Sequence, residues 1–153
     1  MKLPFGFAFE ETMQGTWRPL AGTDPAERSL SFTVRAEVAD VAAWLRDSEV
    51  ALEGTVAVAG LAEHAPARGT MLLSPLRRGI IGYRLSFTGD DGQPYELAGQ
   101  KELRTLDWPR AMTTLPATLS RASGEPVGEA TLHFDTRRDL LGFLASWKPI
   151  RAR

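Results

Sequence analysis

Apolar side chains recur at every second position along much of this 153-residue chain, and that period restricts its fold more than any other feature. Phe5, Phe7 and Phe9 alternate with small or polar neighbours, and Leu30, Phe32 and Val34 do the same on even positions. Val50, Leu52, Val56 and Val58 follow, then Tyr83, Leu85 and Phe87, then Tyr95 and Leu97, and finally Leu132 and Phe134. A period of two places alternate side chains on one face of an extended strand, so each run predicts a strand with one buried face. Thr70 to Leu73 and Ala111 to Leu119 are weaker runs. Pro116 interrupts the second, and a proline is tolerated at an edge or bulge but not within a central ladder. About eight strands result.

The segment Thr88-Gly89-Asp90-Asp91-Gly92-Gln93-Pro94 predicts the clearest hairpin, because Asp-Gly adopts the positive φ angles of a tight reversal. Gly22 to Glu27 and Ser123 to Pro126 read as loops, and Leu61 to Gly69 reads as a longer polar connection. Two stretches change to helical spacing. Val38, Val41, Ala42 and Leu45 share one stripe, predicting a short connecting helix over about 39–46. Thr136-Arg137-Arg138-Asp139 resembles a capping box ahead of Leu140, Leu141, Phe143, Leu144 and Trp147, predicting a C-terminal helix over about 137–147 that Pro149 ends. Successive strands with short turns pair antiparallel, and closing the sheet on itself removes its exposed edges. The expectation is an all-β chain folded as one domain over 1–153, an antiparallel β-barrel whose interior is filled by side chains or holds one small ligand.

Composition excludes several functions. With 18 basic against 19 acidic residues, the chain lacks the excess positive charge that displaces phosphate counterions, so nucleic acid is not an expected partner. Apolar runs stop well short of the roughly 20 residues of a transmembrane helix. Met1-Lys2-Leu3-Pro4 runs into Phe5-Gly6-Phe7 and then Glu10-Glu11 without a signal-peptide pattern, so the expected location is cytoplasmic. Zero cysteines remove disulfides, thiolate metal sites and cysteine nucleophiles together.

The remaining chemistry is sparse. His133 lies between Leu132 and Phe134 and so faces away from them, toward solvent, while His64 sits beside Glu63 with no second histidine near, a poor metal site. Ser74 and Ser120 lack a nucleophile-elbow context, and no glycine motif for a dinucleotide or P-loop phosphate is present. No catalytic residue, metal site or cofactor is expected. Glu10 and Glu11 are adjacent on a strand, so at most one points inward. Lys101 shares parity with Tyr95, Leu97 and Gly99, which aims it at the interior. An inward lysine needs a carboxylate or other polar partner, or it serves as a strand-end residue whose stem reaches back to water. Arg77-Arg78 reads as a solvated loop pair, and the tryptophans Trp17, Trp44, Trp108 and Trp147 as packing residues.

One resemblance emerges from particular strings. Phe9-Glu10-Glu11-Thr12-Met13-Gln14-Gly15-Thr16, Leu52-Glu53-Gly54-Thr55-Val56, Tyr83-Arg84-Leu85-Ser86-Phe87 with Asp91-Gly92, and Leu97-Ala98-Gly99-Gln100-Lys101 occur in that order. Together they resemble the non-catalytic β-rich domains attached to bacterial GMC-type (cholesterol-oxidase-like) flavin oxidoreductases and related α/β-hydrolase fusions, from about Phe5 to Trp147. Asp107, Trp108, Thr113, Thr114 and Leu115 look like the counterparts of the family's downstream polar stretch, although Arg110-Ala111-Met112 departs from its usual acidic and threonine-rich run. The resemblance implies a lipocalin-like accessory domain without the flavin-binding half, and an apolar, sterol-like or lipid-like ligand by analogy.

Three functions follow. The leading expectation is a non-enzymatic binding module taking such a ligand into the barrel mouth, with Lys101, Tyr83, Tyr95 and Trp108 as pocket groups and Thr113 and Thr114 behind them. The second is a side-chain-filled barrel that docks on an oxidoreductase or hydrolase partner. The third is a small barrel isomerase or cyclase using Lys101 with Glu10 or Glu11.

Overall fold

The computed structural model describes residues 5–20, 26–74, 77–134 and 148–151. The alternating runs become β1 (Phe5–Pro19), β2 (Arg28–Val38), β3 (Glu49–Val58), β4 (Ala62–Ser74), β5 (Ile80–Thr88), β6 (Pro94–Glu102), β7 (Thr114–Arg121) and β8 (Pro126–His133). Each pairs antiparallel with the next, and β1 pairs with both β8 and β2, so the eight strands close into an up-and-down barrel. The expected all-β, eight-stranded antiparallel barrel is the fold of this chain. A ninth strand, β9 (Lys148–Arg151), lies antiparallel to Phe5–Ala8, extending the side of β1 that β8 covers only from Gln14 to Pro19. The C-terminal helix expected over about 137–147 lies outside the described residues. Pro149, expected to end it, stands in this strand, which among the described residues pairs only with β1, an edge position of the kind that tolerates proline.

The interior is built from one parity of every strand. Phe9, Met13, Phe32, Val34, Val56, Met71, Leu85, Leu97, Leu115, Leu119 and Leu132 are all buried in one continuous core. Large side chains of this kind contribute roughly 1.5–3 kcal/mol each on burial. Several inward positions are glycines, and two show why the sheet can curl. A Cβ on Gly54 would collide with the carbonyl oxygen of Thr33, and one on Gly69 with that of Arg84, so the neighbouring strands approach where no side chain intervenes.

Two sequence expectations are corrected here. Leu61 to Gly69 is not a polar connection, because all but its first residue belongs to β4. Its inward residues are Ala62, Ala65, Ala67 and Gly69, too small to give the run a hydrophobic signature. Pro66 is accommodated there because β4 pairs with β5 only from Ala67 onward. Ala111 to Leu119 is likewise not one strand. A short helix, α2 (Trp108–Thr113), has Pro109 in its first turn and gives way to β7 at Thr114. Pro116 is tolerated since the β6 pairing of β7 stops at Ala117.

The connecting helix forms as α1 (Val41–Asp47), close to the expected 39–46. Asp40 caps it, accepting from the backbone N–H of Ala42 at 2.9 Å and Ala43 at 3.3 Å. Its inward face differs from the stripe read in the sequence. Val41 and Trp44 pack on the core, Trp44 edge-on to Phe7 at 5.4 Å, while Leu45 is 57% exposed. Among the described residues no helix is long and apolar enough to cross a membrane.

Candidate functional site

The parity of β6 aims Lys101 inward, as expected, and the structure buries it to 5% exposure. Its stem does not return the ammonium to water. The side chain instead meets a carboxylate, with Lys101 Nζ 3.3 Å from Glu11 Oε1. Glu11 is the inward member of the Glu10-Glu11 pair, while Glu10 lies on the exposed face. The same Glu11 oxygen accepts a 2.8 Å hydrogen bond from the Tyr83 hydroxyl, and Lys101 Nζ lies 5.2 Å from the Tyr83 ring centroid. Three strands thus contribute one buried cluster: Glu11 from β1, Tyr83 from β5 and Lys101 from β6.

In an eight-strand ring, β1 and β5 are diametrically opposed. The Glu11–Tyr83 bond therefore crosses the barrel, and Phe32 of β2 packs against the same tyrosine ring at 5.9 Å. Burial first, and then the neighbouring Glu11 charge and hydrogen bond, hold the Tyr83 phenol well above its ordinary range, so it stays protonated and donates. Chemically the cluster is self-satisfied: a carboxylate between an ammonium and a phenol, with all three residues at 6% exposure or less. General acid–base work needs contact with the reacting group, and these three side chains are buried.

The other expected pocket residues do not gather around it. Tyr95 opens β6, at the far end from Lys101, and its hydroxyl donates to Asp91 Oδ2 at 2.6 Å within the β5–β6 hairpin. That bond lowers the Asp91 carboxyl below its usual range and raises Tyr95. Thr113 donates to the Arg110 carbonyl at 3.2 Å, closing its own helix end. Thr114 Oγ1 is 3.5 Å from His133 Nδ1 on the exposed side of the sheet, where His133 was expected to lie. The side chain of Trp108 lies outside the described residues. Lys101 and Thr114 do share one feature, an open depression of about 450 Å³ that Gln100, Arg110 and Pro116 also line.

The sequence places Lys101 and Tyr83 on the inward face; its leading reading grouped them with Tyr95, and its third paired Lys101 with Glu10 or Glu11 without choosing between the two glutamates. The Phe9-Glu10-Glu11 parity carried the missing signal, since Glu11 shares its face with Phe9 and Met13. Two buried polar atoms, Trp44 Nε1 and Ser74 Oγ, have no hydrogen-bond partner among the described residues. No group of three metal-ligating side chains occurs among the described residues. Comparison with protein-family models, curated proteins and solved structures gives no match.

Proposed function

We propose that this protein is a non-enzymatic accessory module, a barrel filled by its own side chains that meets its partners on its outer surface. The observation that carries this reading is the Glu11–Tyr83 hydrogen bond across the barrel, flanked by Lys101 and Phe32, which occupies the width a ligand would need. The resemblance to accessory domains of flavin oxidoreductases and α/β-hydrolase fusions suggests an enzyme of one of those classes as the partner, in the cytoplasm.

A second reading keeps a lipid-like or sterol-like ligand at the rim, favoured by the depression that Lys101 and Thr114 share. The two readings separate in a titration with a fluorescent sterol and a fluorescent fatty acid. A filled barrel gives no saturable one-to-one binding. Stoichiometric binding that Thr114→Trp abolishes while folding is retained would overturn the proposal in favour of the ligand reading. The isomerase or cyclase reading draws on the meeting of Glu11 and Lys101, and their burial weighs against it.

A further inference from the structure

The strand ladders of this barrel are uneven. The β6–β7 ladder runs only from the Tyr95–Arg121 pair to the Gly99–Ala117 pair, five residue pairs where the other seven ladders of the ring hold six to eleven among the described residues. The other ladders end with one of their strands or within one residue of its end. Here both strands run on without pairing to each other, β6 through Gln100, Lys101 and Glu102 and β7 through Thr114, Leu115 and Pro116. Continued in register, Lys101 would stand opposite Leu115. The strands part instead, and the depression of about 450 Å³ is lined by Gln100, Lys101 and Glu102 on one side and by Thr114 and Pro116 on the other. Of these five, Lys101 alone is buried.

The connection between β6 and β7 crosses this seam as a strap. Its two ends are fixed: the Leu103 N–H donates to the Gly79 carbonyl at 2.7 Å, and the Thr113 carbonyl accepts from the Phe134 N–H at 2.9 Å. Between those bonds, α2 packs on both β6 and β7. The helix is six residues long, and its N-cap residue, Asp107, makes no side-chain capping bond, in contrast to Asp40 of α1. Helix formation therefore contributes little of its own to holding the strap down. Leu106, just ahead of the helix, is fully exposed and adds no packing.

We infer that the β6–β7 seam is a gate: α2 lifts, the two strands part beyond Gly99 and Ala117, and the Lys101 ammonium is uncovered while the rest of the ring stays paired. Segments with few buried contacts open at lower free energy than the core does. Beyond Gly99 no β6–β7 pair has to break, because none is formed there. The opening gives the Glu11–Lys101–Tyr83 cluster a route to water through the wall, without unfolding of the ring. Such a gate is compatible with a filled barrel and with a ligand at the rim alike.

The test is amine acetylation of the folded full chain, read by peptide mass spectrometry. The lysines are Lys2, Lys101 and Lys148, so each is followed separately. Through a gate, Lys101 is acetylated far more slowly than in the urea-unfolded chain, at a rate that urea well below the unfolding transition leaves unchanged, because a local opening exposes little surface. Ala111→Gly, within α2, should raise that rate about fivefold, the worth of alanine over glycine in a helix interior. Ala43→Gly makes the same change in α1 and should leave the rate as in the parent. A rate that climbs with urea in step with global unfolding, or that responds equally to the two glycine variants, overturns the proposal. So does a Lys101 that is never acetylated below the transition, or one acetylated as fast as in the unfolded chain.

Discussion

Glu11 and Tyr83 lie on opposite walls of the barrel and are joined by a 2.8 Å hydrogen bond through its centre, with the Lys101 ammonium 3.3 Å from the same carboxylate oxygen. Removing ions from water costs several kcal/mol each, so such a pair is weak evidence of net stabilisation, but each member depends strongly on the other. Lys101→Ala leaves a buried carboxylate facing a phenol alone and should destabilise by about 3–5 kcal/mol. Replacing the whole cluster, Glu11→Leu and Lys101→Met together with Tyr83→Phe so that no buried polar group is left unpaired, should recover most of that loss. Urea unfolding of the single and triple variants measures the difference. Equal stability of Lys101→Ala and the parent would mean that the ammonium is not held in the interior.

Tyr83 gives the barrel an alkaline limit. The ordinary tyrosine value is 10.0, and burial with the adjacent Glu11 raises the folded-state value well above it. Between those two values the unfolded chain has released its phenolic proton while the native chain keeps it. The native state then binds more protons, so stability falls as pH rises. The contribution is complete below about pH 10 and is lost progressively above it. Tyr95, the other tyrosine, is raised by its bond to Asp91 and works in the same direction. Tyr83→Phe should cost about 1.5–3 kcal/mol near neutral pH, the worth of a hydrogen bond to a charged group. It should also flatten the alkaline loss, and Tyr83→Phe with Tyr95→Phe should flatten it further. Unfolding midpoints measured from neutral to strongly alkaline pH check both effects, and an unchanged alkaline slope in Tyr83→Phe would contradict this account.

The barrel was legible because its large inward residues obey strict alternation: Leu30, Phe32 and Val34 on β2 and Tyr83, Leu85 and Phe87 on β5 announce buried faces without help from tertiary structure. β4 was hidden for the opposite reason. Its inward residues are alanines and Gly69, and the backbone crowding that excludes a side chain at Gly69 is a property of the closed ring that no local window contains. Helix α2 was masked by apolar residues that suit either period over a short run. Parity along β6 revealed that Lys101 points inward, but its partner is 90 residues away in sequence, and only ring closure determines that β1 faces β5 and β6. Tyr95 illustrates the converse limit: it has the right parity but occupies the far end of the strand, a distinction that depends on register.

The same crowding gives a direct test of how the ring closes. Gly69 lies opposite Leu52 on β3 and Leu85 on β5, and a Cβ there would strike the backbone carbonyl of Arg84, which cannot rotate aside as a side chain would. Gly69→Ala must therefore spread β4 from β5 or strain the ladder, and overpacking of this kind costs about 1–3 kcal/mol. Gly92→Ala supplies a contrasting case. Its Cβ would meet nothing within 4 Å, but its φ of 79° belongs to the left-handed region that an alanine rarely adopts, so its cost arises in the hairpin backbone instead of the wall. Amide exchange distinguishes them. Gly69→Ala should loosen protection along both β4 and β5, whereas Gly92→Ala should loosen only the β5–β6 turn. Confinement of the Gly69→Ala effect to its own residue would show that the strands can separate there without disturbing closure.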